Sequence, residues 1–156
     1  VPTQQDPDYL QTSLSIIQDY PQSKYINLSI PTWLYGHEWT SPFATHIAKL
    51  FENSVREDTL LTIAYGGIIY APGRAGTIQE VFQEAVQNHY LTFGFASPMI
   101  FLDTEFWTKT TPFYPLLTDL LEKGIYKNLL LSLPDDPDAV VNTILQFQER
   151  IEKAGE

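Results

Sequence analysis

Four short apolar runs, YINLSIP, GGIIYAP, SPMIFLD and NLLLSLP, recur along the chain, each set off by glycine or proline and separated from the next by residues with helical periodicity. Runs this short, apolar on successive positions, suit strands buried on both faces. Strands that alternate with helices of about a dozen residues need crossover connections, which make neighbouring strands parallel. The expected fold is therefore α/β, a Rossmann-like parallel sheet with about four strands visible and helices on both faces.

The helices are read from their apolar stripes. Tyr9, Leu10, Ser13, Leu14 and Ile17 predict a first helix that stops at Pro21, so residues 1–24 are an N-terminal helix and lead-in to a strand over residues 25–30. Ser41 and Pro42 have the form of a helix cap and first helical residue. Phe43, Ile47, Leu50 and Phe51, continued by Val55, Leu60, Leu61 and Ala64, predict helix in one or two pieces ending before Gly66. After the second strand, a helix buries Ile78, Val81, Phe82, Ala85 and Val86 and turns Gln79, Glu80, Gln83, Glu84 and Gln87 outward. Phe113, Leu116, Leu117, Leu120 and Leu121 predict the next helix, closed by Gly124, and DDPDAVVNTILQFQERIEK the last, with acidic residues at its start and Arg150 and Lys153 near its end.

At 156 residues, 44% of them hydrophobic, the chain has the size and apolar mass of a single domain, residues 1–156. A net charge of −10 argues against general attraction to nucleic acid or to a membrane surface, so an anionic ligand must be caught locally. The absence of cysteine excludes disulfides, thiolate metal sites and cysteine nucleophiles. His37, His46 and His89 lack metal-ligand spacing, and no metal is expected. No apolar run is long enough to span a bilayer and no basic-then-apolar leader opens the chain, so a cytoplasmic setting is expected.

Chemistry concentrates in YAPGRAGTIQEVFQEA, residues 70–85. In open parallel sheets, ligands sit beyond the carboxyl ends of the strands, where strand-to-helix turns present backbone N–H groups. Gly73 and Gly76 allow close backbone approach, and a helix beginning near Thr77 directs unpaired N–H groups and its dipole at a phosphate or carboxylate. Of only three arginines, Arg74 lies in this turn and Arg56 on the preceding helix. The same residues have a purely structural reading, in which Thr77 and Glu80 form a capping box, Glu80 sits in the first helical turn and touches no substrate, and Arg56 pairs with Glu52 or with neighbours of Glu57 on a solvated face.

The segment Pro72-Gly73-Arg74-Ala75-Gly76-Thr77-Ile78-Gln79-Glu80 resembles the PGGxGTxxE signature of the lonely-guy family of nucleotide phosphoribohydrolases, long labelled possible lysine decarboxylases. IPTWLYGHE, PFATHIAK, VRED and SPMIFLD look like a larger branch of such Rossmann-fold nucleotide-binding proteins, and the match covers roughly residues 25–133. The resemblance implies hydrolysis of a nucleoside 5′-monophosphate to free base and ribose 5-phosphate, without a cofactor, by a protein that is commonly a homodimer. It implies that Gly73, Arg74, Ala75, Gly76 and Thr77 hold the 5′-phosphate of a nucleoside monophosphate or related phosphorylated small molecule. It also implies that Glu80 stabilises oxocarbenium-like charge or activates water, and that Arg56 positions Glu80 or stabilises the departing base.

His37 and Glu38, in the aromatic loop of residues 32–40 with Trp33, Tyr35 and Trp39, are candidate base or cleft contacts. Two departures from the family pattern are present. Arg74 stands where the signature has its second glycine, and no earlier glycine-rich strand-to-helix turn precedes Tyr25. With Met99 the only methionine, the expectation is that the chain corresponds to the C-terminal portion of a longer Rossmann-like domain. The alternatives are a non-catalytic nucleotide-binding or sensing module and an inactive truncated half of the enzyme. Pyridoxal-dependent decarboxylation fits poorly, because no lysine lies between Lys49 and Lys109 to form a Schiff base.

Overall fold

The computed structural model describes residues 7–21, 25–32 and 40–154. Contacts divide the chain into two compact units, Val1–Leu60 and Leu61–Glu156.

In the first unit, α1 (Tyr9–Asp19) forms as its periodicity predicts. Its buried residue is Ser13, while Leu10 and Leu14 stay exposed. Ser13 tolerates burial because its hydroxyl donates back to the Tyr9 carbonyl at 2.8 Å. The first strand, β1 (Leu28–Ser29), is shorter than the apolar run, and Tyr25 and Ile26 are exposed. It pairs in parallel with β2 (His46–Ile47), Leu28 opposite His46 and Ser29 opposite Ile47, and a bridge between Thr32 and Leu50 extends the pairing.

The strand β2 corrects the helix expected from Ser41, since helix begins only with α2 (Asn53–Ile63). Ser41 does not cap a helix. Its hydroxyl accepts the Phe43 N–H at 3.3 Å and closes a tight turn. Thr45 is then tied across to β1, its hydroxyl accepting the Asn27 N–H at 2.8 Å and donating to the Asn27 carbonyl at 3.1 Å. Pairing with β1 satisfies backbone groups that a helix would have satisfied internally.

The second unit holds β3 (Ile68–Tyr70), β4 (Pro98–Phe101) and β5 (Leu130–Ser132) in one parallel sheet with β4 in the middle. Ile68, Ile69 and Tyr70 face Met99, Ile100 and Phe101; Pro98, Met99 and Ile100 face Leu130, Leu131 and Ser132. Side chains alternate across a strand, so this register sends Ile68, Tyr70, Met99, Phe101 and Leu131 to one face and Pro98, Ile100, Leu130 and Ser132 to the other. The first face is covered by Val81 and Ala85 of α3 (Ala75–Tyr90), by Leu117 of α4 (Phe113–Glu122) and by Trp107. On the second face lies α5 (Pro137–Ala154), whose Thr143 and Phe147 line a cleft with Pro98, Leu130 and Ser132. Helices thus flank both faces of a parallel sheet, an α/β, Rossmann-like arrangement.

A π-helical turn over Phe106–Thr110, closed by the Thr111 N–H on the Phe106 carbonyl at 2.7 Å, lies between β4 and α4 and is not foreseen by periodicity. It seats Trp107 with no exposed surface. The indole N–H donates to the carbonyls of Tyr70 at 3.2 Å and Leu102 at 3.0 Å, tying the end of β3 to the end of β4. Gly124 closes α4 as its sequence predicts, at φ +69°, a backbone region that glycine enters without steric cost. Among the described residues no helix is long and apolar enough to cross a membrane.

Candidate functional site

The carboxyl end of β3 is Tyr70, 2% exposed, after which Ala71 and Pro72 come to the surface and the chain turns into α3. The helix starts at Ala75, two residues earlier than the sequence predicts. The Ile78 N–H donates to the Arg74 carbonyl at 3.1 Å, which makes Arg74 the capping residue. Its backbone is extended, at φ −119° and ψ −155°, and its side chain makes no cap hydrogen bond.

The capping box is therefore overturned. Thr77 is the third helical residue, and Glu80 sits in the second turn, too far along to reach back to the cap. Thr77 instead folds its side chain against Gly73. A Cβ on Gly73 would stand 2.6 Å from Thr77 Cβ and 3.0 Å from Cγ2. The φ of Gly73 is not positive, so glycine is required here by close approach alone.

The consequence is a low turn from which the start of α3 emerges at the carboxyl end of a parallel strand. Arg74, Ala75 and Gly76 are exposed there, and Gly73 and Thr77 are half-buried. The first N–H groups of a helix have no intrahelical acceptors and carry its positive dipole end. With no side-chain cap hydrogen bond and an arginine as the cap residue, the arrangement can hold an anion.

Glu80, half-buried, lies one turn further along the helix. The second acid of α3, Glu84, does not face solvent as expected; it is 3% exposed. Ser97, which directly precedes β4, donates its hydroxyl to Glu84 Oε1. Burial pushes the Glu84 carboxyl above its ordinary range, and the Ser97 hydroxyl pulls it partly back.

Both acids bear on a residue that sequence reasoning missed. The Tyr70 hydroxyl is pushed well above the usual phenol range, by burial first, then by Glu84, then by Glu80. Its ring stacks on Phe101 at 5.0 Å, and its oxygen is buried with no hydrogen-bond partner among the described residues. In sequence it reads as one more apolar position of a strand, and nothing there signals its nearness to two carboxylates.

Arg56 lies on α2 in the first unit, whereas the turn and Glu80 belong to the second. Its side chain is 14% exposed. Nε donates to Asn53 Oδ1 at 3.0 Å, Nη1 reaches the Ile30 carbonyl at 3.5 Å, and Nη2 is 3.9 Å from Oε1 of the fully buried Glu57. This is a partly buried polar cluster linking the start of α2 to the residue after β1. His37 and Glu38, with Trp33, Tyr35 and Trp39, lie outside the described residues. The structure thus brings Gly73, Arg74, Ala75, Gly76, Thr77 and Glu80 together on one turn and helix.

His46 is exposed on β2, and His89 accepts the Lys127 N–H on Nδ1 at 3.0 Å. Among the described residues no group of three or more His, Asp or Glu is placed to hold a metal ion. Compared with known proteins, the chain matches no family model and no curated protein.

Proposed function

We propose that the turn after β3 is the phosphate-binding end of a site for a nucleoside 5′-monophosphate, and that the chain acts as a phosphoribohydrolase of the kind its signature resembles. The observation that carries this reading is the packing of Gly73 on Thr77, which keeps the turn low beside the uncapped start of α3. Backbone N–H groups of the first helical turn, with Arg74, then hold the 5′-phosphate.

Glu80 stands one turn beyond and supplies a carboxylate for the ribose. Water adds to the anomeric carbon as the C–N bond breaks, the base leaves with the bonding pair and takes up a proton, and the water loses one. Glu80 stabilises the oxocarbenium-like charge and accepts the proton from water. Arg56 enters this reading through the resemblance alone, as do the homodimer and the cytoplasmic setting.

The test is a product assay with adenosine and guanosine 5′-monophosphates, following free base by chromatography, on the parent and on Glu80→Gln. Base release by the parent, lowered about 10²–10⁴-fold in the variant with nucleotide binding retained, is the expected result. Binding without turnover by the parent favours a non-catalytic nucleotide-binding module. No binding and no turnover sinks both.

A further inference from the structure

The second face of the sheet carries a cleft that the reading above does not use. It lies between α5 and the strands β4 and β5, wholly within the second unit, and has a volume of about 250 Å³. Because α3 covers the opposite face, the sheet separates this cleft from the helix that bears Glu80.

Two periodicities build its walls. Thr143, Gln146, Phe147 and Arg150 fall at i, i+3, i+4 and i+7 of α5 and so share one helix face. Leu130 and Ser132 are two apart on β5 and share one sheet face, with Pro98 of β4 opposite Leu130. Phe147, Pro98 and Leu130 make the lining apolar, and Phe147 is buried with its ring centroid 6.3 Å from that of Phe95.

The same lining holds donors that the protein does not use. The Thr143 hydroxyl donates to the Ala139 carbonyl at 2.9 Å, but the side chains of Ser132, Gln146 and Arg150 make no hydrogen bond among the described residues. Arg150 has no ion-pair partner among them either, and the acid beside it in sequence, Glu149, lies 3.7 Å from Lys153. In a chain of net charge −10, an arginine left without a carboxylate at the side of an apolar cleft is placed for an anion. One guanidinium balances one negative charge, and its fork matches a carboxylate through two parallel hydrogen bonds. A cavity of about 150 Å³ takes benzene, and sites for drug-sized ligands begin near about 300 Å³. The volume here therefore suits one ring bearing one carboxylate rather than a nucleotide.

We propose that the cleft between α5 and the β4–β5 pair binds a small aryl monocarboxylate, its carboxylate on Arg150 and its ring against Phe147, Leu130 and Pro98. The Gln146 amide, one turn before Arg150, and the Ser132 hydroxyl supply further neutral donors. Removal of the ring from water against apolar walls provides the affinity, and the arginine selects the charge. This site stands or falls independently of the turn after β3.

The experiment follows backbone amide NMR shifts of the full chain during titration with benzoate, benzamide and acetate, in the parent and in Arg150→Gln. Benzamide lacks the charge and acetate lacks the ring. With benzoate at millimolar concentration, saturable shifts are expected across β5 and residues 143–150. Arg150→Gln should weaken benzoate about tenfold and leave benzamide unchanged. Acetate should bind the parent at least about tenfold more weakly than benzoate, since it buries no ring. Arg150 is exposed near the end of α5, so the variant keeps the fold, and unchanged benzamide binding reports that the cleft is intact. Benzoate shifts that are absent, or confined to residues 73–77, overturn the proposal. Equal binding of acetate and benzoate by the parent overturns it too, as does an effect of Arg150→Gln, or the lack of one, that is the same for benzoate and benzamide.

Discussion

Replacing Gly73 with alanine isolates the contact that shapes the turn. The added methyl would lie 2.6 Å from Thr77 Cβ and 3.0 Å from Cγ2, separations that require the helix start or the turn to move. Rotation about χ1 of Thr77 leaves its Cβ in place, so it gives little relief. Overpacking of this kind costs about 1–3 kcal/mol, or roughly 2–4 °C in Tm for each kcal/mol in a chain of this size. The decisive comparison is the same substitution in a Thr77→Gly background, where the three atoms nearest the methyl are gone. Because the φ of Gly73 is not positive, alanine then adopts the native backbone, and its lower unfolded-state entropy makes it stabilising by about 0.4–1 kcal/mol. Urea unfolding followed by far-UV circular dichroism on all four proteins gives the cycle. An equal cost of Gly73→Ala in both backgrounds would refute the steric account and return the glycine to a conformational role.

Asn88→Ala should destabilise by about 2–4 kcal/mol in the same assay, because it strips partners from both the N–H and the carbonyl of buried Ser97. Asn88→Asp should recover little of this loss, since a carboxylate still accepts but no longer donates; full recovery would mean that the clamp matters only as an acceptor. Trp107→Phe should cost about 1–3 kcal/mol, having removed the indole N–H from the Tyr70 and Leu102 carbonyls. A loss under about 0.5 kcal/mol would show that the ring alone ties β3 to β4.

The second unit was legible in the sequence because its signals are local and agree with one another. Apolar runs bounded by glycine or proline mark β3, β4 and β5, and the stripes that include Val81, Ala85 and Leu117 mark the faces of α3 and α4 that are buried. Where signals depend on distant residues they misled. Phe43, Ile47, Leu50 and Phe51 are spaced for a helix, but Asn27 offers Thr45 backbone partners, and a strand wins. Thr77 and Glu80 have capping-box spacing, yet Thr77 packs on Gly73 and the helix starts before it. Glu84 reads as a surface acid because its partner, Ser97, comes only after the helix has ended. The turn from Gly73 to Thr77 was singled out from its own residues together with the resemblance of its signature. The closeness of Tyr70 to Glu80 and Glu84 follows from the docking of α3 on the sheet, which no spacing encodes.

The central position of β4 also sets the order in which this unit can be built. Each of its two partners is reached only through a helical crossover, so the sheet has no hairpin to begin from, and two long loops must close before buried surface repays their entropy. During synthesis, Tyr70, Val81 and Ala85 emerge well ahead of Met99 and Phe101, the strand residues they pack with. A nascent chain that has not yet reached Phe101 holds an apolar helix face with no sheet to receive it, and that interval is when this unit is most open to association with other chains.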